Sequence, residues 1–99
     1  MTLTNPAVAG TLESSDVQIT LRPNPGNGIE LEVTSVVQAM FGDAIRETVL
    51  AALRDFSVDE AHVTVNDRGA LDHVIQSRMQ AAICRAAACR YDWSKEDMA

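Results

Sequence analysis

The chain reads as an α+β protein: a two-layer sandwich of a mostly antiparallel four-stranded sheet with two helices on one face, in the order β-β-β-α-β-α. Three observations predict this. Apolar and polar residues alternate over residues 17–21, 29–33 and 61–65, the period of a strand with one buried face. The spacing changes to i, i+3/i+4 over residues 36–56 and again over 71–86, the period of a helix with one apolar stripe. Turn-forming residues crowd between these stretches. A sheet apolar on one face and two singly striped helices bury those surfaces by stacking in two layers.

The first strand rests on Val8 and Leu12, and it breaks at Ser14-Ser15-Asp16, the exposed tip of a hairpin. Val17, Ile19 and Leu21 alternate after the break and form the second strand. Arg22-Pro23-Asn24-Pro25-Gly26-Asn27-Gly28 is dense in turn formers, and Ile29, Leu31 and Val33 then alternate with Glu30, Glu32 and Thr34. The second and third strands therefore suit antiparallel pairing with one another. Ser35 is a natural N-cap for a helix whose stripe is Val36, Val37, Met40, Phe41, Ala44, Ile45, Val49, Ala52, Leu53 and Phe56. Its opposite face carries Asp43, Arg46, Glu47, Arg54 and Asp55, a solvated surface, and Gly42 interrupts it at a cost of ~1 kcal/mol relative to Ala. Ala61, Val63 and Val65 alternate with His62, Thr64 and Asn66 as the fourth strand, ended by the turn Asn66-Asp67-Arg68-Gly69. The last helix has its stripe at Leu71, Val74, Ile75, Met79, Ala82, Ile83 and Ala86. The segment 89–99 has no period and reads as frayed, with Tyr91 and Trp93 packing back on the domain or, as the alternative, offering a docking point for another subunit. One domain over residues 1–99 follows from the length of 99 residues, and its ordered core is expected over about residues 5 to 88, ahead of the frayed segment.

Composition narrows the functional classes. Apolar residues make up 46% and charged residues 22%, an ordinary globular balance that argues against disorder. The net charge of -6 disfavours nucleic acid and anionic membranes as partners, both of which reward clustered Lys and Arg. No apolar run approaches the ~20 residues of a membrane span, and Met1-Thr2-Leu3-Thr4-Asn5 lacks a signal peptide's basic start and apolar stretch, so the expectation is a cytoplasmic protein. Cys84 and Cys89 are five residues apart, a turn of roughly 500° on a helix, and point in different directions. They suit small thiols in a reducing compartment, and with only His62 and His73 elsewhere there is no metal-ligand pattern.

The tip Glu13-Ser14-Ser15-Asp16 carries the chemistry. A nucleophilic serine needs a base within hydrogen-bond reach. His62 lies on the polar side of its strand and His73 off its helix stripe, and neither has a reason in the sequence to meet Ser14. Thus no catalytic residue is assigned. An exposed, unhindered hydroxyl without a base suits a serine to which another enzyme attaches a group. Glu13 and Asp16 are then candidates for recognising a basic partner or helping to hold Mg²⁺ during the attachment.

At this point the residues carry a resemblance. Pro6-Ala7-Val8-Ala9-Gly10-Thr11-Leu12-Glu13-Ser14-Ser15-Asp16-Val17 resembles the N-terminal signature of the acyl carrier (gamma) subunit of citrate lyase. The similarity continues through Phe41-Gly42-Asp43-Ala44-Ile45-Arg46 and Asp67-Arg68-Gly69-Ala70-Leu71-Asp72, about residues 5 to 88 in all. It implies a single acyl-carrier domain, a non-catalytic subunit whose Ser14 is joined through a phosphodiester to a phosphoribosyl dephospho-coenzyme A. The thiol of that group carries acetyl and then citryl while citrate is cleaved to acetate and oxaloacetate. The implied partners are the alpha and beta subunits of citrate lyase and the transferase that attaches the group. Arg68 stands where the family pattern has lysine, and His73 where it has cysteine. Ser15 offers a second hydroxyl, so the choice of Ser14 rests on alignment. The carrier subunits of malonate decarboxylase and citramalate lyase are the nearest alternatives, and a small hydrolase or an unmodified interaction module are the alternatives from other classes. Glu13-Ser14-Ser15-Asp16 departs from the Gly-Ser-Gly-Asp tendency of the malonate decarboxylase carriers.

Overall fold

The structure, a computed structural model, describes residues 1–87. The readings made for Cys89, Tyr91, Trp93 and the segment 89–99 lie outside the described residues. Strand β1 (Ala7–Gly10), β2 (Val17–Arg22), β3 (Ile29–Ser35), helix α1 (Gln38–Asp55), β4 (Ala61–Asp67) and α2 (Asp72–Ala86) follow in the expected order. They form one sheet in the order β1-β2-β4-β3. β1 pairs β2 and β2 pairs β4 antiparallel, whereas β3 pairs β4 in parallel, so the sheet is mixed.

The expected pairing of the second and third strands does not form, because β4 lies between them. Alternation fixes which face a strand buries and is silent on its neighbour. Here the segment 23–28 is long enough to step across one intervening strand, a span of about 10 Å between strands two apart at ~4.8 Å each. The parallel β3/β4 pair in turn requires a crossover, and α1 supplies it. Burial agrees: the inward residues Ala61, Val63 and Val65 of β4 are fully buried, while Ile29, Leu31 and Val33 of the edge strand β3 are half-buried.

The core is a single cluster. Val17, Ile19 and Leu21 of β2, Ile45, Val49 and Leu53 of α1 and Ile75, Met79 and Ile83 of α2 are buried in it together, with α2 packed on β1 and β2 and α1 on β3 and α2. Each such side chain taken fully from water contributes about 1.5–3 kcal/mol. In β1 the inward residues are Ala7 and Ala9, whereas Val8 and Leu12 are about half-exposed. These small inward side chains suit the close packing of α2 over the edge strand. Arg85 Nη1 donates to the Val8 carbonyl at 2.7 Å, and the Thr4 and Asn5 amides donate to the Ala86 carbonyl at 2.8 and 2.9 Å, closing the end of α2.

Two further expectations change. Ser35 ends β3 instead of capping α1; the capping position is Val37, whose own side chain makes no capping hydrogen bond. The apolar stripes are also shorter than the periodicity suggests. Val36, Met40, Phe41 and Leu71 are 62%, 78%, 49% and 67% exposed, because they cluster where the strand ladder has already ended at Ser35 and Asp67 and no sheet lies beneath them.

Gly10 is the position that tolerates no side chain. Its φ is +85°, and a Cβ there would stand 1.8 Å from the Val17 carbonyl oxygen and 3.2 Å from the Arg78 side chain. Gly10→Ala is therefore expected to cost at least about 2 kcal/mol, a fall of roughly 8–16 °C in melting temperature by circular dichroism. An unchanged melting temperature would contradict this packing.

Candidate functional site

The end of β1, the start of β2 and the ends of β3 and β4 gather at one rim of the sheet. The register sets Val17 opposite Asp67, and Asp67 opposite Ser35. Asp67 is the one buried polar residue of the described core, 1% exposed. Its Oδ2 accepts hydrogen bonds from Ser35 Oγ at 2.7 Å and the Gly69 amide at 3.0 Å, and its Oδ1 accepts from the Ala70 amide at 3.0 Å. The Ser35 hydroxyl in turn accepts from the Val37 amide at 3.1 Å. One carboxylate thus ties the end of β3, the turn before α2 and the approach to α1. Gly69 closes that turn with φ +91°, a conformation that favours glycine.

The tip of the β1/β2 hairpin is docked on this frame. The Ser15 amide donates to the Arg68 carbonyl at 2.9 Å, and the Arg68 amide donates to the Asp16 carbonyl at 2.9 Å. Arg68 Nε donates to the Leu12 carbonyl at 3.2 Å. Within the tip the Asp16 amide donates to the Glu13 carbonyl at 3.1 Å, closing a four-residue turn with Ser14 and Ser15 at its centre and Ser15 at φ +66°.

Asp16 fixes the turn from below. Its carboxylate accepts from Thr11 Oγ1 at 2.7 Å, from the Val17 amide at 2.7 Å, and from Arg78 Nε and Nη2 at 3.1 and 3.0 Å. The Arg78 guanidinium and the Thr11 hydroxyl hold its pKa down to about 2. The missing side chain of Gly10 leaves the room in which Arg78 reaches it. This corrects the sequence reading of Asp16 as a residue for partner recognition or Mg²⁺: both of its oxygens are engaged inside the fold. Glu13 remains exposed.

Ser14 and Ser15 are both exposed, but they are not equivalent. Ser14 lines a shallow hollow with Leu12, Val36 and Arg68, whereas Ser15 occupies the left-handed position with its amide tied back to Arg68. No hydrogen bond engages the Ser14 hydroxyl among the described residues. His62 sits five residues along β4 from the rim, about 17 Å away at ~3.3 Å per residue, with Glu32 at 3.9 Å from its Nε2. His73, in the first turn of α2, is exposed and makes no hydrogen bond to Ser14. Cys84 lies partly buried on α2. Among the described residues no helix is long and apolar enough to cross a membrane.

Sequence reasoning missed Asp67 as the organising carboxylate and Arg78 as the tip's counter-ion. Arg78 had a signal: it falls next to Met79 and three residues after Ile75, at the margin of the apolar stripe, where a cation reaches over the sheet edge.

Comparison with known proteins decides the family. A family model described as "ACP: Malonate decarboxylase delta subunit (MdcD)" matches residues 4–86. The citrate lyase acyl carrier protein of Vibrio cholerae is 49% identical over 96 residues, covering 96% of this chain and 98% of that one. The chain belongs to the citrate lyase acyl carrier protein family. Family members named in the same way from Streptococcus equi subsp. zooepidemicus and Clostridium perfringens are 47% and 40% identical, over 92% and 94% of this chain and 90% and 93% of theirs. A chain in the crystal structure of a Pseudomonas malonate decarboxylase hetero-tetramer in complex with malonate superposes with a TM-score of 0.69 at 18% identity, over 87% of this chain and 92% of that chain. At that identity the likeness is one of fold alone.

The lowered Asp16 pKa makes the hairpin sensitive to acid. A carboxylate whose pKa falls from 3.8 to about 2 on folding contributes stability that is complete above about pH 4 and is lost as pH falls toward 2. The contribution is about 1–2 kcal/mol once screening at the half-exposed Arg78 is allowed for. Thermal unfolding between pH 2 and 6 should therefore show a steeper loss for the wild type than for Asp16→Asn. Parallel curves would contradict the assignment.

Proposed function

We propose that this chain is the acyl carrier subunit of a citrate lyase, a single acyl-carrier domain that holds its acyl group on a phosphoribosyl dephospho-coenzyme A joined to Ser14. The relatives at 40–49% identity carry the citrate lyase name, which favours that complex over malonate decarboxylase and citramalate lyase. The observation that carries the reading is the state of Ser14: exposed, on a turn held by four backbone and side-chain anchors, and with no base bonded to it among the described residues.

The site fits the group. A phosphodiester adds negative charge at Ser14, and Arg68 in the same hollow makes no ion pair with a carboxylate among the described residues. The hydroxyl stands clear of its neighbours, so another enzyme reaches it without unfolding the turn. When bound, the group supplies a thiol that carries acetyl or citryl as a thioester. The chain's own part is to anchor that arm on a rigid support and so raise its effective concentration at the active sites it visits. On this reading the chemistry belongs to alpha and beta subunits, the attachment to a transferase, and the work is done in the cytoplasm. The carrier itself is not a catalyst.

Intact-mass spectrometry of protein made in its own host, or together with the enzymes that build and attach the group, tests the proposal. The wild type and Ser15→Ala should gain the mass of a phosphoribosyl dephospho-coenzyme A, with the modified peptide containing Ser14, and Ser14→Ala should gain nothing. A modified Ser14→Ala with an unmodified Ser15→Ala would move the attachment to Ser15. An unmodified wild type in the presence of those enzymes would overturn the reading.

A further inference from the structure

Beside the attachment hollow lies a second concavity, a cleft of about 320 Å³ walled mainly by Val37, Phe41, Ala44 and Leu71 over the floor of Ile45, with Asp67 and Asp72 also in its lining. The two concavities are bordered by consecutive residues. Val36 and Arg68 face the hollow of Ser14, while Val37 and Gly69 face the cleft. Leu12, Val36, Phe41 and Leu71 are 45–67% exposed, so an apolar band runs from the attachment serine past the β3–α1 junction to the start of α2. Exposure of several large apolar side chains together asks for an occupant.

Resting on the function proposed above, we infer that the cleft between Phe41 and Leu71 is a resting site for the thiol-bearing end of the prosthetic arm. The occupant is argued from position and chemistry. The arm begins at Ser14, inside the neighbouring hollow. Arg68 meets it first, and a planar guanidinium suits phosphate oxygens. Beyond Arg68 the lining is mainly apolar: the Asp67 oxygens there are already taken by Ser35, Gly69 and Ala70, and Asp72 is exposed at the start of α2, which leaves the apolar wall to a carbon chain. A volume of about 320 Å³ is at the small end of ligand pockets, which run ~300–1,000 Å³, and so admits the end of the arm and not the whole group. Docked there, a thioester is shielded from water between visits to a partner's active site; released, it swings from the Ser14 turn.

The test uses the full chain, ¹⁵N-labelled, with the group attached by its own enzymes and loading verified by intact mass. Backbone amide resonances of Phe41, Ala70 and Leu71 should shift between unloaded and loaded chain, together with those of Val36 and Arg68. Leu71→Asp, at an exposed position where the fold tolerates it, should speed alkylation of the arm's thiol roughly tenfold. Loaded protein whose shifts stay within residues 12–16, and whose thiol reacts equally fast in Leu71→Asp, would overturn the resting site and leave the carrier function standing. A chain that gains no mass would overturn both.

Discussion

A buried carboxylate holds this molecule's working end together. Asp67 stands at the last rung of the sheet, where β2 begins beside the ends of β4 and β3, and its oxygens accept from Ser35, Gly69 and Ala70. A buried charge left unpaired is costly, whereas one met by three donors fixes the groups that meet it. Those groups belong to two segments beside the hairpin tip, the end of β3 and the turn before α2. With the turn at Arg68 set, its backbone offers a carbonyl to Ser15 and an amide to Asp16, and the tip docks on it as an additional short ladder. The exposed serine is thus carried by a frame whose anchor lies one residue inside the core.

Asp16 and Arg78 do the same from the other side. The pair joins the tip to the middle of α2, sixty-two residues away in the chain, and Gly10 keeps the path open. Two carboxylates, one buried and one half-buried, therefore act as structural clamps, and Glu13 is left as the exposed acid of the turn. Acidity near the serine thus reflects how the turn is built more than how it is recognised. That rigidity suits a tether: the arm supplies the motion, and the support keeps its origin fixed relative to whatever surface the carrier meets.

Much of this was legible in the sequence, and the limits have physical causes. Alternation and helical period are local signals, so the six elements and the exposed turn at Ser14 could be read from 17–21, 29–33, 61–65 and the two striped segments. Strand neighbours depend on loop reach and on crossover geometry, neither of which leaves a periodic trace; hence β4 between β2 and β3 could not be read. The outward-facing Val36, Met40, Phe41 and Leu71 were assigned to buried stripes because periodicity tells which side of a helix a residue is on and not where the sheet beneath it ends. Asp67 looked like a turn residue and Asp16 like a solvated one, since what decides their roles is contact with Ser35 and Arg78, far away in the chain. The proposal of Ser14 as the attachment point rests on resemblance; in the structure Ser14 faces the Arg68 hollow while Ser15 is tied back.

The central claim is that the tip is ordered before anything is attached to it, with the backbone on either side of Ser14 locked to the Asp67 turn. Amide hydrogen exchange on the unmodified chain measures this directly. The account predicts that the Ser15 and Arg68 amides, each bonded across the tip, are protected nearly as well as the strand amides of Ile19 and Val65, while the Ser14 amide between the anchors exchanges freely. Exchange of Ser15 and Arg68 at the rate of an open loop would contradict it.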